Sequence, residues 1–126
     1  MHTLVDSGFT ESEPMQIYNN GLYLIYSQPI TCANSTGCTV NAQMTAKVQD
    51  ETGLTINYDL INFDIDGTVL LPADSEVGFS PFQLLSHHAD AVLSIPHGNH
   101  TLNAKIYFAG PTNFYSYMIQ YHIYKP

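Results

Sequence analysis

Residues 40–50 alternate with a period of two. Val40, Ala42, Met44, Ala46 and Val48 fall on one side of an extended chain, and Asn41, Gln43, Thr45, Lys47 and Gln49 fall on the other. Successive side chains of a strand point to opposite faces, so this run predicts a strand with one dry face and one wet face. The same signal dominates the rest of the chain. Residues 21–27 (Gly-Leu-Tyr-Leu-Ile-Tyr-Ser) form a short, nearly continuous apolar run, as in a strand covered on both faces. After the turn residues Asp50-Glu51-Thr52-Gly53, alternation resumes through Leu54, Ile56, Tyr58 and Leu60 and then changes phase to Ile61, Phe63 and Ile65. That change predicts a bulge or a bend between sheets. Asp66-Gly67 is a strong turn signal, because both residues tolerate positive φ.

Further strands are expected near 68–71, 77–84, 91–95, 101–108 and 115–124. They are separated by Pro72-Ala73-Asp74, Pro96-His97-Gly98-Asn99 and Gly110-Pro111-Thr112-Asn113. Seven to nine short strands at roughly ten-residue spacing predict an all-β fold, an antiparallel β-sandwich or jelly roll. Residues 1–14, with Asp6, Glu11, Glu13 and Pro14 and little periodicity, read as an extended or disordered arm. Residues 15–126 read as a single domain without repeats or linkers.

Composition agrees. Nine Tyr and six Phe in 126 residues suit pleated surfaces, and with 11% of residues charged, Asn, Gln, Ser and Thr must supply much of the polar surface. Lys47, Lys105 and Lys125 are the three basic residues apart from histidine, and the net charge is −8. Nucleic-acid binding needs clustered Lys or Arg against phosphate, so no nucleic acid is expected as a partner. An anionic membrane surface is disfavoured for the same reason, and no apolar run is long enough to span a bilayer. Residues 1–20 lack the basic start and apolar core of a signal peptide.

Cys32 and Cys38 enclose Ala-Asn-Ser-Thr-Gly, a polar insert that suits a small disulfide-closed loop in an oxidising compartment. The alternative is a pair of unrelated reduced thiols. Two further readings concern the acids. Residues 61–70 resemble the first motif of haloacid-dehalogenase-type phosphatases, in which a buried strand ends in Asp-x-Asp-Gly-Thr. The resemblance would make Asp64 the nucleophile and Asp66 the acid/base, with Mg²⁺ on the phosphate. Such enzymes need alternating helices, a downstream Lys and a further acidic pair, and the sequence predicts no helices alternating with strands and holds no Asp-Asp pair. Asp64 and Asp66 therefore read as solvated groups on one strand face leading into a turn. A Ca²⁺ site using them with Asp59 is a lesser alternative. His87-His88 and His97-Gly-Asn-His100 are too few and too scattered for a signalled zinc site. No Ser has a Gly-x-Ser-x-Gly setting, and the chain is expected to have no catalytic residues, no metal and no cofactor. Asn34-Ser35-Thr36 and Asn99-His100-Thr101 fit the N-glycosylation pattern.

Residues 61–67, then Leu93-Ser-Ile-Pro-His-Gly-Asn-His-Thr-Leu-Asn-Ala-Lys-Ile-Tyr, then Ala109-Gly110 and a Tyr-rich final strand, resemble the C-terminal half of TNF/C1q-like jelly rolls on phage and viral tail, fibre and surface proteins. The resemblance implies a homotrimeric, non-enzymatic virion or extracellular module, whose partners would be other virion proteins or a host-surface glycan or protein. Exposed loops at 30–39, 72–76 and 85–90 would carry attachment. The final strand offers Tyr115, Tyr117 and Tyr121 on one side and Met118 and Tyr124 on the other. Large side chains on both faces predict that some are buried between subunits. The alternative function is a soluble, lectin-like carbohydrate-binding β-sandwich, with Tyr standing in for the missing Trp.

Overall fold

The computed structural model describes residues 3–14, 16–51 and 57–126. Among these residues ten strands run β1 (Thr3–Ser12), β2 (Gln16–Tyr18), β3 (Gly21–Cys32), β4 (Cys38–Asp50), β5 (Asn57–Ile65), β6 (Thr68–Val69), β7 (Ser75–Phe79), β8 (Leu84–Ile95), β9 (Gly98–Phe108) and β10 (Thr112–Lys125). They form two antiparallel sheets. One has the order β1-β10-β4-β8 with β2 also on β10, and the other has the order β3-β9-β5 with β6 and β7 both on the far side of β5. Along the chain, β3→β4, β4→β5, β7→β8, β8→β9 and β9→β10 each cross from one sheet to the other, which is the winding of a jelly roll.

The period-two pattern of residues 40–50 becomes β4, at the centre of the first sheet. Val40, Ala42, Met44, Ala46 and Val48 are fully buried. They meet Ile61, Phe63, Ile65, Leu102, Ala104, Ile106 and Phe108 of the second sheet in one apolar cluster. At one end Tyr18, Tyr23, Phe108 and Phe114 pack as a cage of rings with centroids 4.8–5.9 Å apart, in edge-on and tilted pairs that aromatic quadrupoles favour.

Several expectations change in the structure. The stretch 3–12, read as an extended or disordered arm, is the edge strand β1, paired with β10 from Thr3↔Lys125 to Ser12↔Tyr117. Most of its side chains are exposed, so backbone hydrogen bonds place it there. The bulge expected near 60–61 does not occur. From Asn57 to Ile65 the odd-numbered residues face inward without interruption, and Tyr58 and Leu60 point outward. Leu54 and Ile56 lie outside the described residues. The segment 85–90, expected as an exposed loop, lies within β8, which pairs in unbroken register with β4. The expected strand 77–84 is interrupted, β7 ending at Phe79 and β8 beginning at Leu84. Among the described residues, register shifts occur at three other places, between Leu4 and Asp6, between Leu24 and Tyr26 and between Phe114 and Ser116.

The Asp66-Gly67 turn forms as expected, with φ of 53° and 88° at its two central residues. Cys32 and Cys38 are joined by a disulfide that closes the connection between β3 and β4, and both are buried. Inside that connection Gly37 has φ of 97°, and a Cβ there would lie 2.7 Å from the Ile95 carbonyl oxygen, so only glycine fits.

Candidate functional site

Two places collect chemistry. The first is the outer face of the sheet containing β4, where the wet residues of the alternating pattern end up. Strand register lines them in rows: Ser7–His122–Asn41–Val92, Phe9–Gln120–Gln43–Asp90 and Glu11–Met118–Thr45–His88. The amides hold one another. Gln120 Nε2 donates to Gln43 Oε1, Asn41 Nδ2 donates to Asp90 Oδ1 at 2.5 Å, and Gln43 Nε2 reaches Asn41 Oδ1 at 3.3 Å and Asp90 Oδ2 at 3.4 Å. Thr45 Oγ1 lies 3.0 Å from His88 Nδ1. An open groove of about 530 Å³ adjoins these rows, between Glu11, Thr45, Lys47, Ser86, Ser116 and Met118.

The bulge in β10 decides what else reaches this face. It sets Tyr115 and Ser116 consecutively outside. The Tyr115 hydroxyl then donates to Gln49 Oε1 at 2.8 Å. Met118 and Tyr124 also face outward, Met118 at 42% exposure. Tyr117 points inward against Phe114 (5.7 Å between centroids). Tyr121 is buried, its ring lying over Gly8 of β1. Tyr115, Tyr117 and Tyr121 thus do not share one side. Of the five residues expected at a subunit interface, Tyr115, Met118 and Tyr124 reach the outer surface and Tyr117 and Tyr121 pack within the chain.

The second place is the open seam between the edges of the two sheets. Asp59 of β5 and His87 of β8 both point into the sandwich, and the His87 Nδ1 meets Asp59 Oδ1 across it. The His87 Nε2 lies 2.8 Å from the hydroxyl of Ser75, the first residue of β7. Asp59 is fully buried and His87 nearly so, whereas Ser75 is half-buried. In the tautomer with its proton on Nδ1, His87 donates to Asp59 and its Nε2 accepts from Ser75. Burial pushes the Asp59 carboxyl above its ordinary range, and the hydrogen bond and charge of His87 oppose that rise. The Asp59 Oδ2 meets no donor among the described residues. Ser75 lines a cavity of about 240 Å³ with Phe63, Pro72, Asp74, His88 and Asp90.

The sequence missed this chain of three because its members come from three strands and two sheets. One signal was present: Asp59 is in phase with Ile61 and Phe63, and His87 is in phase with Ala89 and Ala91, each a polar residue on an apolar face.

The acids singled out by motif part company. Asp66 is exposed and bonds His100 Nδ1 at 2.6 Å and the Thr101 N–H at 2.9 Å. The His100 hydrogen bond, with that N–H, holds the Asp66 carboxyl below its usual range, and Asp66 in turn holds His100 above its own. Asp64 is not a solvated group: it is 3% exposed. Its Oδ1 accepts from Asn103 Nδ2 (3.0 Å) and the Gly67 N–H (3.1 Å), and its Oδ2 pairs with Lys105 Nζ (3.0 Å). Burial alone would raise the Asp64 carboxyl, but the Asn103 amide, Lys105 and the Gly67 N–H outweigh it and hold it low. The chain is all strand and turn here, so the helix-bearing frame of the phosphatase motif is absent among the described residues. Those residues gather no group of three His, Cys, Asp or Glu suited to a metal ion. His97, at the β8–β9 turn, and His100 sit away from His87, and Asn34 and Asn99 lie on exposed connections or strand ends.

No family model and no curated protein matches the chain. Among solved structures it is similar to the EclA C-terminal domain, a sugar-binding protein, with 11% identity and a TM-score of 0.44 over 91% of this chain and 79% of that one. It is also similar to a chain of infectious bursal disease virus, Gx strain, with 8% identity and a TM-score of 0.44 over 98% of this chain and 38% of that one. A third similar structure is a family 35 carbohydrate binding module from Clostridium thermocellum, with 11% identity and a TM-score of 0.40 over 91% and 98% of the two chains.

Proposed function

We propose that this chain is a carbohydrate-binding β-sandwich that takes its ligand on the outer face of the β1-β10-β4-β8 sheet. The observation that carries the reading is the row Gln120–Gln43–Asp90 with Asn41 beside it. Sugar hydroxyls both donate and accept, and planar amides and carboxylates offer both functions at fixed angles. Here the amides are braced against one another, so little side-chain freedom is left to lose when a ligand binds. Tyr124, Phe9 and Met118 border the amides and give the apolar C–H face of a sugar ring something to rest on. The shallow, open groove suits a polysaccharide chain lying along the surface.

The setting we infer is extracellular, consistent with the disulfide, and a host-surface or matrix glycan is the partner. The homotrimeric virion module of the resemblance is a second reading. It draws on the same face, where Tyr115, Met118 and Tyr124 stand among uncharged amides. Calorimetric titration against neutral oligosaccharides separates the two. Binding that weakens at least tenfold in Gln43→Ala and in Asp90→Ala is expected. A wild type that binds no member of a broad glycan array, and sediments as a trimer, would transfer this face to self-association.

A further inference from the structure

We propose that Ser75, His87 and Asp59 form a nucleophilic site for small carboxylic esters, distinct from the glycan face. The three side chains already hold the order that acyl transfer requires. A serine hydroxyl donates to one imidazole nitrogen at 2.8 Å, and the other nitrogen is held by a buried carboxylate. Such an arrangement needs only one member open to substrate. Ser75 is that member, half-buried at the start of an edge strand and lining a cavity of about 240 Å³. That volume is below the range of drug-sized pockets and suits an acetyl or similarly short acyl group.

The site also has donors for a developing oxyanion. Val92 of β8 turns both its N–H and its carbonyl away from β4, to Leu71, at 2.9 Å each. The β4–β8 register has no shift, so the backbone of Asp90 and of His88 points the same way, out of the free edge of β8. Both residues line the cavity that Ser75 lines. Their side chains are engaged on the other face, Asp90 by Asn41 and Gln43 and His88 by Thr45, so what they offer the cavity is backbone, each an N–H beside a carbonyl. The Asp74 carboxylate at the rim is tied to Asn62 Nδ2 at 3.1 Å.

The chemistry balances without a further reagent. The Ser75 Oγ attacks the acyl carbon, its proton passes to His87 Nε2, and one backbone N–H on the free edge of β8, that of His88 or that of Asp90, receives the oxyanion. Collapse breaks the ester C–O bond, and the leaving alcohol takes the proton from His87. Water, deprotonated by His87, then attacks the Ser75 ester and releases the acid. Asp59 is a positioning residue that keeps the imidazole in the tautomer with Nε2 free.

The test is an active-site label followed by turnover, on the full chain. Incubation with a fluorophosphonate should add one adduct, mapped by peptide mass spectrometry to Ser75 and lost in Ser75→Ala. The wild type should hydrolyse p-nitrophenyl acetate faster than buffer alone. Ser75→Ala should fall to the buffer rate. His87→Gln should fall by about 10²–10⁴-fold, the usual contribution of a general base. Ser75 is half-buried on an edge strand, so its alanine variant keeps the test open even if the His87 variant misfolds. An adduct on any other residue, no adduct, or hydrolysis unchanged by Ser75→Ala would overturn the proposal. None of these readouts involves glycan binding, so the two proposals stand or fall separately.

Discussion

The molecule holds two histidine–aspartate pairs in opposite surroundings. His87 and Asp59 meet between the sheets with side chains 4% and 0% exposed. His100 and Asp66 meet at a β-turn with side chains 10% and 50% exposed. The exposed pair does what such a pair does in water: each partner holds the other in its charged form, Asp66 below and His100 above its ordinary range. In the buried pair the leading effect on Asp59 is the reverse, because burial penalises the carboxylate more than His87 rewards it. The same two residue types thus make a local clasp in one place and a costly inclusion in the core in the other. A costly inclusion is what a functional group looks like when the fold alone would have been served by leucine.

That contrast can be broken most sharply at Asp59. Removing one partner of a buried pair leaves the other uncompensated, so Asp59→Ala should lose about 3–5 kcal/mol in denaturant unfolding. Asp59→Leu with His87→Leu should recover most of that loss, and a double variant as unstable as the single one would show the pair to be structural. Asp64 lies between the extremes, buried but with three partners. Asp64→Asn keeps its shape and loses the charge facing Lys105, and should cost about 1–3 kcal/mol by the same measurement.

Away from the pairs, Cys32→Ser opens a loop of few residues, and chain entropy sets its cost at about 2 kcal/mol with the fold retained. The smallest stability effect belongs to the exposed pair: His100→Gln should change it by no more than about 1 kcal/mol. Its pH signature is clear all the same. The contribution of Asp66 is present above the unfolded carboxyl value of about 3.9 and is lost as pH falls through its lower folded value. That of His100 is present below the unfolded value of about 6.5 and is lost as pH rises through its higher folded value. The pair therefore stabilises most between those two limits. An NMR titration should show His100 above the ordinary histidine value and returning toward it in Asp66→Asn.

How legible all this was depends on the kind of contact. Strand β4 could be read because its dry and wet residues alternate without exception and the structure buries every second one. The Asp66-Gly67 turn and the small disulfide loop are local, set by residues a few positions apart, and they too were legible. Strand β1 was not, since Thr3–Ser12 carries no apolar face and is held through its backbone, which side-chain patterns do not report. The bulge at Tyr115 moved that one tyrosine to the outer face and left Tyr117 and Tyr121 facing the core. The relay from Asp59 to Ser75 joins residues 28 and 12 positions apart across two sheets, so it comes into being only with the topology.

The place of β10 in its sheet has a consequence for how the molecule comes to exist. It lies between β1 and β4, and β8 joins that sheet through β4, so among the described strands the first sheet lacks its middle until β10 is made. A ribosome adds about 5–20 residues per second. For several seconds, then, β1 has no strand to join, while β4 presents one bare edge beside a finished apolar face. Strand pairing between distant segments is slow in any case, and an unpaired edge of that kind is open to whatever other chain is near. The second sheet, with β3, β9 and β5 already emerged, can close during that interval. The outer face that carries Gln43, Asp90 and Gln120, and the wall behind it, therefore cannot close before β10 is made, and crowding or heat during synthesis should damage that face first.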